Sequence, residues 1–409
     1  MEIGPIFRAL MHNKSRFWLI TLEVALTLAI VVNCVNFMMD LRRDYTRPTG
    51  LDQENLIVVL AEPFDPAFAE EEYVAAIEEE DLRVLNDLSG VHAAAAIQAI
   101  PISGGGSATG RKALGSELDT EAAPYFLTRG PILEALGVEL IAGRDFEPGD
   151  YEYTQDGTVE SPAGRNVLVT QEMADVFYPD GDALGKQIQN SEGQVIDTIV
   201  GIIQRMHNSW PQGWEKAGHV VLFPRTSVGD AERMRYLVRA EPGAKDGLFE
   251  AIEPALAAVH PDRIFTIRPH TYYSERHYGD SLVLIKLLTA VIVLLVLVTS
   301  FGIVGLTAFS VTQRTRQIGT RRALGASRGD ILRYFLVENW MITGIGLAIG
   351  LLFTWGLNYV LVTYTEAPHL DWTLLAGGVV AIWFSGILAA LLPAVRATRV
   401  APEIATRTV

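Results

Sequence analysis

The stretch RTRQIGTRRALGAS at positions 314–327 concentrates positive charge, with four arginines and no acid. Its residue types predict a short helix on which Ile318 and Leu324 are apolar and arginines or small residues surround them. Such a helix suits insertion into a groove on a soluble partner, with the charges at the rim of the interface. The indicated chemistry is recognition of another protein. An alternative explanation applies to each arginine taken singly. Loops on the cytoplasmic side of a membrane carry an excess of Lys and Arg, and this excess alone could place an arginine here.

Three other stretches have residue types that could bind phosphate or a metal ion. GDALGKQ at 181–187 has the wrong glycine spacing for a phosphate-binding loop, and Gln187 stands where Ser or Thr would hold magnesium. SGGGSATG at 103–110 could surround an anion with backbone amides, but its composition is more typical of a flexible loop. His270 and His277 have the spacing of one helix face, yet IFTIRPH indicates a strand and no third ligand is evident.

Enzyme chemistry finds no support in the sequence. The 41 acids between positions 40 and 280 are so many that close carboxylate pairs arise by chance, and no Ser/His/Asp arrangement stands out. Cys34 is the only cysteine, which excludes an internal disulfide and a cysteine-based zinc site. We therefore expect no catalytic residue, no metal site and no cofactor on this chain.

Charge and hydropathy divide the chain into a membrane part and a water-exposed part. Residues 40–280 hold 41 acids against 20 bases, so this region would repel nucleic acid. A membrane span needs about 20 apolar residues. Four stretches meet that length and predict spans at 17–39, 281–312 (with an outer stalk), 334–365 and 372–395.

The short segments between the spans predict the orientation, because cytoplasmic loops carry an excess of Lys and Arg. The loop at 313–333 and the tail at 396–409 are rich in arginine, whereas 366–371 has acids and no base. Both termini are then cytoplasmic, 1–16 is a cytoplasmic amphipathic start, and 40–280 lies outside. The first span alone is ambiguous, since three basic residues lie on each side of it.

Capping residues predict how the arginine loop folds. Gly325 is suited to a helix C-terminus, and Ser327 with Asp330 three residues later has the spacing of a capping box that starts the next helix. We expect a helix, a tight turn and a second helix leading into the third span.

RTRQIGTRRALGASRGDILRYFLVE resembles the signature of MacB-type, FtsX-like permeases, the membrane subunits of ABC systems. The stretches at 136–150, 166–188 and 199–206 also resemble recurring parts of the MacB-type outer domain, as does the order of one span, a large domain and three spans. The resemblance implies an α-helical membrane protein with a 1+3 arrangement of spans and a large α/β extracytoplasmic domain. Within that domain it implies a porter-like part at 50–102 and 231–280 and an inserted, mostly β subdomain at 103–230.

The outer region shows the same order of elements twice. A strand, a helix and a strand are predicted in 56–102 and again in 235–268, and both helices have apolar residues at three- and four-residue spacing. Two such units could form one α/β sheet. The acid runs at 70–72 and 78–81 are expected on the solvated face of their helix.

Polar residues and glycines inside the spans suggest helix contacts. Glu23 and Glu338 are expected near the cytoplasmic interface, paired with Arg16 or the loop arginines or reaching water, although an ion path is an alternative. Gly346 and Gly350 permit close helix packing, either within the subunit or across a dimer.

The resemblance implies the permease subunit of an ABC exporter of peptides, antibiotics or other lipophilic substrates in the bacterial inner membrane. Its partners would be a cytoplasmic ABC ATPase that binds ATP and Mg, a second permease copy, the lipid bilayer and, in some systems, a periplasmic adaptor. The implied ATPase contacts are Arg316, Ile318, Arg321, Arg322 and Leu324, with Gly325 setting the turn. Lipoprotein extraction, regulation of a cell-wall hydrolase without transport, and a receptor without an ATPase remain alternatives.

Overall fold

The computed structural model describes residues 14–117, 120–151, 164–193, 195–211, 216–226, 228, 232–365 and 367–400, apart from the side chain of Arg16. It has two compact units. One, Met1–Arg43 with Ser281–Val409, is called the helical unit here, and the other, Asp44–Asp280, the sheet unit. Most of the predicted amphipathic start and the end of the predicted tail lie outside the described residues.

The described residues form nine α-helices and eleven strands. The helices are α1 Lys14–Thr46, α2 Glu71–Asp87, α3 Ile132–Leu136, α4 Gln171–Phe177, α5 Lys245–Val259, α6 His270–Gln313, α7 Thr315–Ala323, α8 Arg328–Thr365 and α9 Trp372–Ala397. The strands are β1 Leu56–Pro63, β2 Val91–Ile97, β3 Ser107–Ala113, β4 Glu121–Arg129, β5 Leu140–Gly143, β6 Asn166–Thr170, β7 Gln187–Asn190, β8 Ile196–Ile203, β9 Val221–Pro224, β10 Met234–Ala240 and β11 Arg263–Pro269.

Four helices, α1, α6, α8 and α9, are long and apolar enough to cross a membrane within the part of the chain that is described. Two of them run further than the apolar stretches that predicted them. Helix α1 continues to Thr46 and α6 begins at His270, because their polar ends still favour a helix. The IFTIRPH stretch therefore ends as a strand at Pro269, and His270 and His277 share one helix.

Small residues let helix α8 lie close to α1. A Cβ added at Gly346 would lie 2.9 Å from the Cβ of Val24, and one at Gly350 would lie 3.0 Å from the Cα of Ala25. Both distances are too short for a larger residue. The two glycines therefore serve packing within the subunit, where small residues allow backbones to approach.

Buried polar side chains also link these helices. The Thr27 and Thr299 hydroxyls are 2.7 Å apart, which joins α1 to α6. Asn358 donates to the Asn33 side chain at 3.1 Å, and Asn339 donates to the Gly386 carbonyl at 3.0 Å. Interhelical hydrogen bonds of this kind are worth roughly 1 kcal/mol each in a membrane.

The two strand–helix–strand units predicted in the sheet unit are present. Their strands lie in the order β11-β1-β10-β2, and β1 is antiparallel to both of its neighbours. Helices α2 and α5 cover one face of these strands, with Val74, Leu85 and Ile252 in the core. The opposite face packs against α3. Burial of each such side chain stabilises the fold by about 1.5–3 kcal/mol.

The segment predicted as an inserted subdomain continues the same sheet. Strand β4 pairs with β2 at two positions only, Ala96 with Arg129 and Ile97 with Thr128, and the remaining strands follow from β4. Among the described residues all eleven strands thus belong to one sheet that narrows at this junction. A two-residue pairing leaves no pattern in the sequence, so the continuity could not be predicted.

The stretch LGVELIAGRDFEPGD closes on itself through Asp150. Its carboxylate accepts two hydrogen bonds from the Arg144 guanidinium, at 2.6 and 3.1 Å, and others from the Glu147 amide and the Asn166 side chain, both at 2.7 Å. The Arg144 hydrogen bonds, with help from those of Asn166 and Glu147, lower the pKa of Asp150 to about 2. The hydrogen bonds of Asp150 therefore give this residue pattern a structural role.

The acid run at 78–81 is not the solvated surface that the sequence predicted. Glu78 and Asp81 are completely buried, whereas Glu79 and Glu80 face solvent. Asp81 forms a two-point ion pair with Arg263, with one contact at 3.0 Å, and accepts a hydrogen bond from the Tyr236 hydroxyl at 2.6 Å. The pair joins α2 to β11, and helical spacing alone could not reveal that a base on a distant strand would meet it.

We expect Asp81→Asn to destabilise the protein, because it leaves the buried Arg263 guanidinium without its counter-charge. Breaking one side of a buried pair costs about 3 kcal/mol or more. For a unit of this size that loss lowers the melting temperature by roughly 6–12 °C. Thermal unfolding of the full chain in detergent measures it.

Glu80→Gln is the matched control, because it removes the neighbouring carboxylate from the exposed side of the same helix. It should leave the melting temperature unchanged. Equal melting temperatures for Asp81→Asn and the parent chain would contradict the buried pair.

Candidate functional site

Helix α7 carries the arginines of the motif and is anchored by one apolar side chain. Ile318 is only 4% exposed and belongs to a small core with Ile331 and Phe335 of α8 and Ala394 and Ala397 of α9. The helix therefore lies against two membrane helices of its own chain. This burial argues against the prediction that Ile318 itself contacts a partner.

The turn after α7 has the form that its residues predicted. Gly325 has a φ of +98°, a conformation that favours glycine, and the Ala326 amide donates to the Arg321 carbonyl at 3.0 Å. The Ser327 amide donates to the Asp330 carboxylate at 3.0 Å, and the Asp330 amide donates to the Ser327 hydroxyl at 3.2 Å. The capping box is thus confirmed, and it starts helix α8.

Three of the predicted contact residues are exposed, one at the start of α7 and two at its end. Leu324 is 84% exposed, and Arg316 and Arg321 are also exposed. The Arg321 guanidinium carbon lies 4.9 Å from the ring centre of Tyr334, which limits its freedom. Arg316, Arg321 and Leu324 are called the docking face below. The docking face combines one exposed apolar side chain with two positive charges.

Arg322 has a different surrounding from its neighbours. It is half-buried, and its guanidinium donates to the Thr398 carbonyl at 3.1 Å and to the Val400 carbonyl. Cations near the last carbonyls of a helix stabilise its C-terminus. Arg322 therefore attaches the end of α9 to α7.

An ion pair fixes the start of α7. Its two residues, Arg314 and Glu338, are not among the predicted ATPase contacts. Arg314, at the N-cap, lies 3.2 Å from the carboxylate of Glu338, which is 1% exposed, and donates to the Tyr334 hydroxyl at 3.1 Å. The expectation that a loop arginine pairs with Glu338 is confirmed. A carboxylate within an apolar helix was the signal, because it requires a counter-charge.

The second carboxylate in the spans has a separate environment. Glu23 lies against α6, where a Cβ added at Gly302 would fall 2.5 Å from both carboxylate oxygens. The glycine therefore makes room for the acid. Its predicted pairing with Arg16 falls on a side chain outside the described residues.

The structure also tests whether the other candidate stretches could bind phosphate or a metal ion. Residues 187–190 after GDALGK form strand β7, whereas a phosphate-binding loop must lead into a helix. The Ser103 and Gly104 amides of the glycine-rich stretch both donate to the Ser209 carbonyl, at 2.9 and 2.7 Å, so an anion cannot use them. The ring of His270 is 2.9 Å from the Pro101 carbonyl.

Among the described residues, the structure brings together one group of potential metal ligands that the sequence did not indicate. Asp65, His260 and Asp262 bring three candidate atoms within 4.8 Å of one another. Asp65 already accepts the Ala67 amide at 2.9 Å as a helix cap, and His260 packs edge-on against Phe68. The hydrogen bond of Asp65 and the ring contact of His260 explain why these two side chains lie where they do.

Comparison with known families finds a match in the membrane part of the chain. Residues 289–402 match the family model "FtsX-like permease C-terminal", which includes α7 and the docking face.

Curated relatives extend the similarity to about two thirds of the chain. The macrolide export ATP-binding/permease protein MacB of Bartonella quintana is 27% identical over 280 residues, which are 66% of this chain and 40% of the relative. MacB of Syntrophobacter fumaroxidans is 35% identical over 277 residues, or 61% of this chain and 38% of the relative. The uncharacterized ABC transporter permease YknZ of Bacillus subtilis is 37% identical over 112 residues, or 27% of this chain and 28% of the relative. The chain thus spans about 40% of the length of the MacB relatives.

Two solved structures match about half of this chain at low overall similarity. The periplasmic region of MacB from Actinobacillus actinomycetemcomitans is 11% identical, with a TM-score of 0.36, covering 56% of this chain and 94% of that one. The extracellular domain of the noncanonic ABC-type transporter YknZ from Gram-positive bacteria is 16% identical, with a TM-score of 0.34, covering 52% and 100%.

We expect the Arg314–Glu338 pair to hold α7 in place. Arg314→Gln or Glu338→Gln alone should speed amide hydrogen exchange at residues 315–323 about tenfold, because each removes one side of a largely buried ion pair. The double variant should recover part of this loss, since residues in contact are energetically coupled. Hydrogen exchange with mass spectrometry measures all three.

Arg333→Gln, an exposed charge on α8, is the control and should leave exchange in α7 unchanged. Strictly additive effects of the two single variants would show that the two side chains do not interact.

Proposed function

Because the chain belongs to the MacB-type, FtsX-like permease family, we propose that it couples ATP hydrolysis by a separate cytoplasmic ABC ATPase to movement of the sheet unit. The ATPase would bind ATP and Mg, and this chain would supply the membrane path. The driven process would be export of peptides, antibiotics or other lipophilic substrates from the bacterial inner membrane. The naming of the MacB relatives for macrolide export supports this class of substrate.

The exposure of Leu324 is the observation that carries the proposal. An apolar side chain that is 84% exposed beside two exposed arginines has the composition of an interface centre with a charged rim. Ile318 contributes indirectly, since its burial positions the docking face. Of the predicted contacts, Arg316, Arg321 and Leu324 would touch the ATPase, Arg322 would hold the tail, and Gly325 would set the turn.

The anchoring of α7 provides the route by which motion would leave the docking face. A force on α7 acts on α8 and α9 through the Ile318 core and on α8 through the Arg314–Glu338 pair. Helix α8 contacts α1 at Gly346 and Gly350. Helices α1 and α6 each have residues in both units, so they would be the elements that pass the motion on. Helix α6 alone has 44 residues, about 66 Å of continuous helix.

Topology and assembly follow from the same proposal. The docking face must be cytoplasmic to meet the ATPase, which places both termini in the cytoplasm and the sheet unit outside. Two ATPase sites would require a second permease copy, identical or related. A periplasmic adaptor would contact the sheet unit.

We expect Leu324→Asp to reduce recovery of the ATPase with the tagged chain at least tenfold, because a carboxylate would be buried at the apolar centre of the interface. Arg321→Glu should weaken recovery further by opposing the charge complementarity. Affinity purification from native membranes, with mass spectrometry and an ATPase assay, measures both effects.

Ile264→Asp is the matched control, because Ile264 is 62% exposed on β11 and the substitution is the same. It should retain the ATPase. If Leu324→Asp with Arg321→Glu retains as much ATPase as the parent chain, the docking face is not the coupling surface.

A further inference from the structure

A cavity in the sheet unit collects positive charge that the proposed coupling does not use. Its volume is about 670 Å³, within the range of small-molecule sites. Four arginines line it, and its described lining contains no acid: Arg233, Arg235, Arg268 and Arg276. This is unusual in a region where 41 acids face 20 bases.

The register of three strands brings these arginines together. Leu60 of β1 pairs with Arg235 of β10 on one side and with Thr266 of β11 on the other, so all three side chains share one face. Side chains two residues away along a strand return to that face, which adds Arg233 and Arg268. The face therefore carries a row of charge around an apolar centre.

Helix α6 supplies the fourth arginine and an aromatic wall. Arg276 donates to the Tyr272 hydroxyl at 3.5 Å, and the Arg268 guanidinium carbon lies 5.5 Å from the Tyr272 ring centre. One tyrosine thus orients two guanidinium groups. Glu62, which does not line the cavity, pairs with Arg233 at 3.1 Å.

The glycine-rich stretch forms the opposite wall. A Cβ at Gly106 would lie 2.4 Å from a ring carbon of Trp210, so this position can carry no side chain. Backbone of Gly105 and Gly106 therefore borders the cavity, next to the hydroxyls of Ser103 and Ser107. Leu60, Ala99 and Ile100 add apolar surface.

We propose that this cavity binds a small molecule bearing phosphate groups. Guanidinium groups bind phosphate oxygens through paired hydrogen bonds, and several of them suit a polyvalent anion such as a diphosphate. The apolar surface and Tyr273 would contact a non-polar part of the same ligand. The phosphate could belong to a soluble metabolite or to a lipid headgroup, which share this chemistry.

Titration of the purified full chain with pyrophosphate by isothermal calorimetry tests the proposal. We expect saturable binding, and at least a tenfold loss of affinity in the Arg235→Gln/Arg268→Gln variant. Arg83→Gln/Lys186→Gln removes the same charge from the surface of the sheet unit and should bind as the parent does. Melting temperatures of all variants establish that they are folded, and a pyrophosphate-induced rise in melting temperature should follow the same order.

Two further probes are used. Short-chain phosphatidic acid distinguishes a lipid headgroup from a soluble phosphate, and citrate tests whether the site prefers phosphate at all. Binding of short-chain phosphatidic acid but not of pyrophosphate would support a lipid headgroup, and binding of pyrophosphate would support a soluble ligand. Tighter binding of citrate than of both would overturn the assignment to phosphate. Absence of saturable binding of both pyrophosphate and phosphatidic acid, or equal losses in the cavity and control variants, would overturn the site.

Discussion

The ion pair between Arg314 and Glu338 is the contact on which the arrangement of the arginine-rich motif at 314–327 depends. It joins the end of α6 to α8 at a position where the carboxylate is almost completely buried. Loss of the guanidinium would remove a counter-charge from this carboxylate within apolar helices, which is costly. With the guanidinium in place, α7 starts at a fixed point, Ile318 enters the core formed with α8 and α9, and Leu324 remains at the surface.

Charge has three separate uses in this chain. Arginines at the docking face are exposed beside an apolar residue, which suits a protein partner. Arg263 is buried against Asp81 and stabilises the sheet unit. The arginines of the cavity lie together without an acid among the described lining residues, which suits an anionic ligand. In these proposals the same type of side chain serves recognition, stability or binding according to its burial and its nearest acid.

The sequence was sufficient to predict the features that depend on nearby residues. The turn at Gly325, the capping box of Ser327 and Asp330, the four long apolar helices and the two strand–helix–strand units all have local patterns. Contacts between distant segments could not be predicted in the same way. Helical spacing shows that Ile318 is apolar, but cannot show whether it meets its own subunit or a partner. Likewise, the burial of Asp81 depends on Arg263 and the cavity depends on strand register, and neither has a local signature.

In the proposed function, events at the docking face reach the sheet unit through helices α1 and α6. Hydrogen exchange of the complex in nanodiscs, with its co-purified ATPase and with or without ATP and vanadate, tests this most directly. We expect nucleotide to change exchange both in α7, at 315–323, and across the start of α6 and the adjoining strand, at 263–276. A change confined to α7, with the sheet unit unaffected, would contradict it.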